Sequence, residues 1–309
     1  MQLDYSNIDD ELAVALELLP EGLEGINRDN IVAIREMLAA QAVPPVETDV
    51  TIEERTVTGA DGDVRVLVYR PPEQTDGAGV LWIHGGGYIF GSAEDDRARI
   101  MAEELGCTVV SVDYRLAPEN PFPAGVEDCY ASLVWMTEHA ADLNIDHSRI
   151  AIGGASAGAG MAAGLALLNR DRGGPQLALQ LLLYPMIDNL HDTVSGQFVN
   201  HPVWNQQTSF NAWEMYLNGT PGVEASPYAA ASRAADLANL PPAYICVGSE
   251  DLFRDECIDY ARRLIAAGVP SELAVFPGVF HAAEVFVPQA KVSQRLHVSF
   301  MRALRDMLA

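Results

Sequence analysis

The pentapeptide Gly154-Ala155-Ser156-Ala157-Gly158 stands between an apolar run, Ile150-Ala151-Ile152-Gly153, and a helix-like stretch of small residues. G-x-S-x-G at a strand-to-helix turn is the pattern of a nucleophile elbow, where the backbone is so crowded that only small neighbours fit. Ser156 would be held strained with its hydroxyl exposed, and the Ala157 N–H at the head of the helix would face an oxyanion forming there. Over five residues alone, a simple glycine-rich turn reads the same way. Gly158-Ala159-Gly160-Met161-Ala162-Ala163 also fits the dinucleotide-binding pattern G-x-G-x-x-A. That fit starts inside the helix instead of at the strand end, and no acidic strand end follows at the usual distance.

A second chemical segment is Val80-Leu81-Trp82-Ile83-His84-Gly85-Gly86-Gly87-Tyr88. Three consecutive glycines cost backbone entropy, so bare backbone must be wanted there. In an acyl-transfer site the N–H groups of Gly85 and Gly86 would point at a carbonyl oxygen as it becomes negative, each donor being worth roughly 3–4 kcal/mol. His84 belongs to the strand that carries this turn and reads as structural. Tyr88, beside the turn, is expected to touch substrate. Two further strand ends carry Gly248-Ser249-Glu250-Asp251 and Phe276-Pro277-Gly278-Val279-Phe280-His281. Ligands of parallel sheets gather at the carboxyl ends of strands, so Ser156, Asp251 and His281 can converge from distant positions. The order Ser, acid, His is that of the α/β-hydrolases. Glu250 is the alternative acid, and Asp255 and Glu256 are expected to cap the next helix.

The elements that must position these groups follow from periodicity. Val50 to Val57 and Val64 to Tyr69 alternate around Asp61-Gly62-Asp63 and predict a hairpin. Continuous apolar runs follow at Val80 to Ile83, Thr108 to Val112, Ile150 to Gly153, Leu179 to Tyr184, Ala243 to Val247 and Leu273 to Phe276, each followed by a helical pattern. Continuous apolarity implies burial on both faces, and strands alternating with helices predict an α/β fold around a mostly parallel sheet. Residues 1–45 are expected to form a helical preface, in which an amphipathic segment with Ile31, Ile34, Leu38 and Ala42 is ended by Pro44 and Pro45. The interval 188–240 lacks a sheet strand and carries Trp204, Phe210, Trp213 and Tyr216. With the preface it is expected to form a cap over the 46–309 domain, and Trp204 and Phe210 are its candidates for the acyl pocket.

Composition narrows the function. The 309 residues are 49% hydrophobic and carry a formal net charge of −24, with Lys291 the sole lysine. Such an exterior repels nucleic acid and anionic membrane, and no run approaches the roughly 18 apolar residues of a membrane span. The acidic start lacks the pattern of a secretory leader, so a cytoplasmic protein is expected. Cys107, Cys129, Cys246 and Cys257 form no C-x-x-C pair and read as structural thiols. H-E-x-x-H is absent, Pro288 occupies the serine position of S-x-x-K relative to Lys291, and neither a metal nor a cofactor is expected.

Taken together, HGGG at 84–87, YRLAPE at 114–119, GASAG at 154–158, DLFRDE at 251–256 and the late His281 resemble the hormone-sensitive-lipase-like group of bacterial carboxylesterases. The resemblance runs from about residue 50 to the end. It implies an eight-stranded α/β-hydrolase sheet with a helical cap, and hydrolysis of short- to medium-chain esters without a cofactor. It places the triad acid at Asp251, not Asp255, and implies a homodimer through the last strand. His281 would take the proton of Ser156, Asp251 would fix the imidazole, and an acyl-enzyme would be released by water. An amide or lactone hydrolase, or an acyltransferase, would use the same triad, and a non-catalytic receptor on this fold would typically lack the serine or histidine. Three departures stand out: Ala155 replaces the usual Asp or Thr, Leu252 the usual Pro, and Ala282-Ala283-Glu284 follows His281 where Gly-Phe is common.

Overall fold

The computed structural model describes residues 1–17, 19, 25–40, 47–73, 77–219, 222 and 224–308. Eight strands form one sheet: β1 (Thr51–Gly59), β2 (Gly62–Arg70), β3 (Gly79–Ile83), β4 (Thr108–Asp113), β5 (Ile150–Ala155), β6 (Leu179–Leu183), β7 (Ala243–Gly248) and β8 (Ser271–Phe276). Their order is β1-β2-β4-β3-β5-β6-β7-β8, with β2 antiparallel to both neighbours and the other pairs parallel. The helices are α1 (Asp10–Ala13), α2 (Ile31–Ala40), α3 (Asp96–Leu105), α4 (Ala124–Glu138), α5 (Ala157–Asp171), α6 (Gln206–Leu217), α7 (Arg254–Ala266), α8 (Ala283–Phe286) and α9 (Lys291–Leu308).

Strands β3, β5, β6 and β7 are buried throughout, as continuous apolar runs require when helices cover both faces. The apolar run at β8 misleads on this point. It is an edge strand, and only Phe276 of its six residues is buried. The hairpin also differs in its turn. Gly59 pairs with Gly62, so the reversal falls at Ala60-Asp61 and both strands extend beyond the alternating runs.

Two register pairs position the chemistry. Ile83 at the end of β3 lies beside Gly154 of β5, and Gly248 at the end of β7 lies beside Phe276 of β8. The glycine turn and the serine turn therefore leave adjacent strands at one rim, as do the segments carrying Asp251 and His281. The N-terminal segment and the 188–240 interval are tied to each other. Leu3 N–H donates to Asn200 Oδ1 at 2.6 Å, Asn211 Nδ2 to the Ile26 carbonyl at 2.7 Å, and Arg28 pairs with Glu214. Ala42, Pro44 and Pro45, where the first helical segment is expected to end, lie outside the described residues. Among the described residues no helix is long and apolar enough to cross a membrane.

Candidate active site

Strand β5 delivers Ser156 into a turn that only small residues can make. Ser156 has φ 57° and ψ −120°, a conformation rare for L-residues and typical of strain held at a functional site. Its N–H donates to the Leu183 carbonyl at 2.9 Å, which fixes the turn against β6. A Cβ on Gly154 would stand 2.5 Å from the Gly158 carbonyl oxygen, so strand and helix can approach only without it.

The three residues singled out for nucleophilic chemistry meet. Ser156 Oγ lies 2.9 Å from His281 Nε2, and His281 Nδ1 lies 2.9 Å from Asp251 Oδ2. A proton on Nδ1 donates to the carboxylate and leaves Nε2 to accept from the serine hydroxyl. The second Asp251 oxygen, Oδ1, accepts the Phe253 N–H at 2.9 Å. The relay is buried, with Ser156 9% exposed, His281 3% and Asp251 1%.

The glycine turn lies against the serine: a Cβ on Gly85 would be 3.5 Å from Ser156 Cβ. Gly86 has φ +115°, and its carbonyl accepts the N–H groups of Ile89 and Phe90, both at 3.0 Å. Among the described residues the N–H groups of Gly85, Gly86 and Ala157 meet no acceptor, which leaves three donors available beside the serine. A cavity of about 280 Å³ opens on Ser156 and His281, walled on its apolar side by Leu38, Phe90, Val203, Trp204, Val285 and Phe286 and lined beside them by Arg97 and Tyr184.

Trp204 thus lies where an acyl-pocket residue is expected, whereas two other expectations fail. Tyr88 does not line this cavity. Its φ of +67° turns the side chain inward, where it is 1% exposed, donates to the Met186 carbonyl at 2.7 Å and stacks on Tyr216 at 4.0 Å. Phe210 packs edge-on against His191 at 5.0 Å and is also absent from the cavity wall. Trp213 and Tyr216 are buried against Tyr88 as packing.

Glu250 turns away from His281 and accepts the Ser249 hydroxyl at 2.8 Å. Asp255 and Glu256 do not cap α7, which has no side-chain cap bond. They reach across to the insertion instead: Asp255 accepts the Ser195 N–H, and Glu256 Oε1 accepts the N–H groups of Ile187 and Asp188 at 2.8 and 3.1 Å. Burial holds the Glu256 carboxyl well above the usual carboxylate range, with the Asp188 charge adding to the effect. His84 is structural, its Nδ1 bonded to the Gly85 carbonyl at 2.8 Å and its ring stacked on Tyr114, and burial pushes its pKa down. At the end of β4 Arg115 grips Asp128 and Asp113 accepts the Ala93 N–H, while beyond β6 Asp188 pairs with Arg233. All four cysteines are free and buried, and burial pushes the Cys107 thiol up to about 12.

Arg97, Tyr184, Glu284 and Phe90 stand around the site without having been singled out from the sequence. Only Glu284 carried a signal, as part of the unusual segment after His281.

A family model described as the alpha/beta hydrolase fold matches residues 80–285. The chain belongs to the α/β-hydrolase fold family. Within the α/β hydrolases it falls in the hormone-sensitive-lipase-like group. It is similar to the carboxylesterase NlhH of Mycobacterium tuberculosis, 40% identical over 291 residues that cover 89% of this chain and 88% of that protein. An arylesterase of Saccharolobus solfataricus is 33% identical over 279 residues, covering 87% of each. Among solved α/β-hydrolase structures, a bacterial heroin esterase superposes with a TM-score of 0.93 at 40% identity, covering 99% of both chains. The esterase LipW of Mycobacterium marinum follows at 0.89 and 34%, covering 99% of this chain and 98% of its own.

Proposed function

We propose that the protein is a serine carboxylesterase that hydrolyses short- to medium-chain carboxylic esters through an acyl-enzyme on Ser156. The observation that carries this reading is the unbroken line Ser156 Oγ, His281, Asp251 at 2.9 and 2.9 Å with three unspent N–H groups beside it. His281 Nε2 takes the serine proton as Oγ attacks the ester carbonyl, and the carbonyl oxygen becomes negative among the N–H groups of Gly85, Gly86 and Ala157. The imidazolium, held against Asp251, then protonates the departing alkoxide. Water deprotonated by the same nitrogen attacks the acyl-enzyme, and return of the proton to Ser156 releases the acid.

The size and apolarity of the cavity support a short acyl or alcohol chain, because about 280 Å³ lies at the small end of ligand pockets. Leu38 from the N-terminal segment and Val203 and Trp204 from the 188–240 interval stand over the serine, which supports reading both segments as a cap. A cytoplasmic setting fits four cysteines that remain free thiols. Kinetics on p-nitrophenyl acetate, butyrate and longer esters test the assignment. Wild type is expected to favour the short esters, and Ser156→Ala to lower kcat by roughly 10⁴-fold or more. Undiminished hydrolysis by Ser156→Ala would reject the nucleophile.

A further inference from the structure

The wall beside His281 holds charged groups that the hydrolytic steps do not use. Arg97, in the first turn of α3, donates from Nη2 to the Tyr184 hydroxyl at 2.6 Å and to Glu284 Oε1 at 2.7 Å. The Tyr184 hydroxyl in turn donates to the same Glu284 oxygen at 2.5 Å. The triangle joins α3, the residue after β6, and α8, and both ion-pair partners are largely buried, Arg97 at 20% and Glu284 at 11% side-chain exposure. Burial raises the Tyr184 phenol well above its ordinary range, so it keeps the proton it donates.

Tyr184 is the corner that faces the histidine. Its ring centroid lies 5.0 Å from that of His281 at an interplanar angle of 73°, and Phe253 lies at 5.1 Å and 88°. Its backbone has φ +39°, a region a bulky residue occupies only where its surroundings enforce it. Its N–H is spent on the Cys246 carbonyl at 2.7 Å, and its hydroxyl on the ion pair, so the residue is fixed at both ends.

The bond from Nδ1 to Asp251 fixes one end of the imidazole but leaves tilt about that bond open. The ring must nevertheless present Nε2 in turn to the serine, the leaving alkoxide and water, and small misplacements of a catalytic group cost large factors in rate. We propose that Tyr184, locked by the Arg97–Glu284 ion pair, is a positioning residue that sets the tilt of His281, so that breaking the pair acts on turnover more than on substrate binding. The inference rests on Ser156, His281 and Asp251 being the catalytic relay.

The test is steady-state hydrolysis of p-nitrophenyl acetate by wild type, Glu284→Gln, Arg97→Met, their double variant and Tyr184→Phe, with the low-field proton resonance of the His281–Asp251 hydrogen bond read by NMR. Glu284→Gln is expected to lower kcat roughly tenfold with KM within about twofold, and to broaden the resonance. The double variant is expected to fall no further than the worse single one, since the two groups act as one unit. Should Glu284→Gln not fold, Tyr184→Phe, which keeps the ring and removes only the tether, gives the same reading. A folded variant with kcat within twofold of wild type and an intact resonance would overturn the proposal, as would a loss carried by KM or an additive double variant. Full turnover by Ser156→Ala would instead overturn the relay on which it depends.

Discussion

Gly158 approaches strand β3 so closely that a Cβ on it would stand 2.0 Å from the Ile83 carbonyl oxygen and 2.3 Å from that of His84. These are backbone atoms that cannot swing aside, and they belong to the segment that leads into the glycine turn. A methyl group at 158 must therefore push the N–H groups of Gly85 and Gly86 away from Ser156 as well as strain the turn at the serine. Gly158→Ala is expected to destabilise the fold by about 2–3 kcal/mol and to lower kcat/KM more than tenfold. Urea midpoints and ester kinetics check both, and a wild-type midpoint would contradict the close approach.

Asp251 uses its two oxygens differently, Oδ2 on His281 Nδ1 and Oδ1 on the Phe253 N–H. An amide cannot replace it, because its NH₂ end would face one of two donors. If it faces the imidazole, the proton is forced onto Nε2, which then can no longer accept from the Ser156 hydroxyl. Asp251→Asn is thus expected to lower kcat by roughly 10⁴-fold. Glu250→Gln, altered at a carboxylate that faces Ser249, should remain within about twofold. The reverse pattern in kcat would move the acid role to Glu250.

What could be read from the chain is what chemistry forces into fixed spacing. The elbow needs small residues on both sides of Ser156, and the glycine turn needs bare N–H groups, so both are visible as strings. The interior strands are visible because burial on two faces leaves few polar positions, such as Thr108, Ser111 and Gln180, whereas β8 has an open edge that its apolar run does not reveal. Adjacency along the chain does not fix side-chain direction: Tyr88 is next to the glycine turn in sequence, yet a positive φ sends its side chain under the turn to Met186. Asp255 and Glu256 resemble capping residues until the insertion is seen to fold over them. The Arg97–Tyr184–Glu284 triangle spans 187 positions and follows no local pattern, so only the folded chain discloses it.

Trp204 closes the cavity over Gly87, where a Cβ would come within 2.3 Å of the indole Cη2, and the residue is itself buried. Removing it should lengthen the apolar cavity without touching the relay. Each additional buried methylene contributes on the order of 1 kcal/mol of discrimination. Trp204→Ala is therefore expected to raise the octanoate-to-acetate ratio of kcat/KM roughly tenfold or more. Phe210→Ala, which removes a ring packed on His191, should leave the ratio unchanged. Equal effects of the two substitutions would place the chain-length boundary elsewhere in the cap.

Glu256 should impose a pH dependence on stability. It is 3% exposed, burial holds its carboxyl well above the usual range, and Oε2 has no partner among the described residues. Above the ordinary glutamate value of about 4.3 the unfolded chain releases this proton while the folded one retains it. The folded state then binds more protons than the unfolded state, and linkage makes stability fall as pH rises, by up to about 1.4 kcal/mol per unit until the folded carboxyl also ionises. Gln at this position keeps an oxygen for the N–H groups of Ile187 and Asp188 but has no proton to lose. The difference in stability between Glu256→Gln and wild type is therefore expected to shift in favour of the variant between pH 5 and pH 8. Denaturant unfolding at both values measures it. A difference independent of pH would mean that the carboxyl is ionised in the folded protein throughout this range.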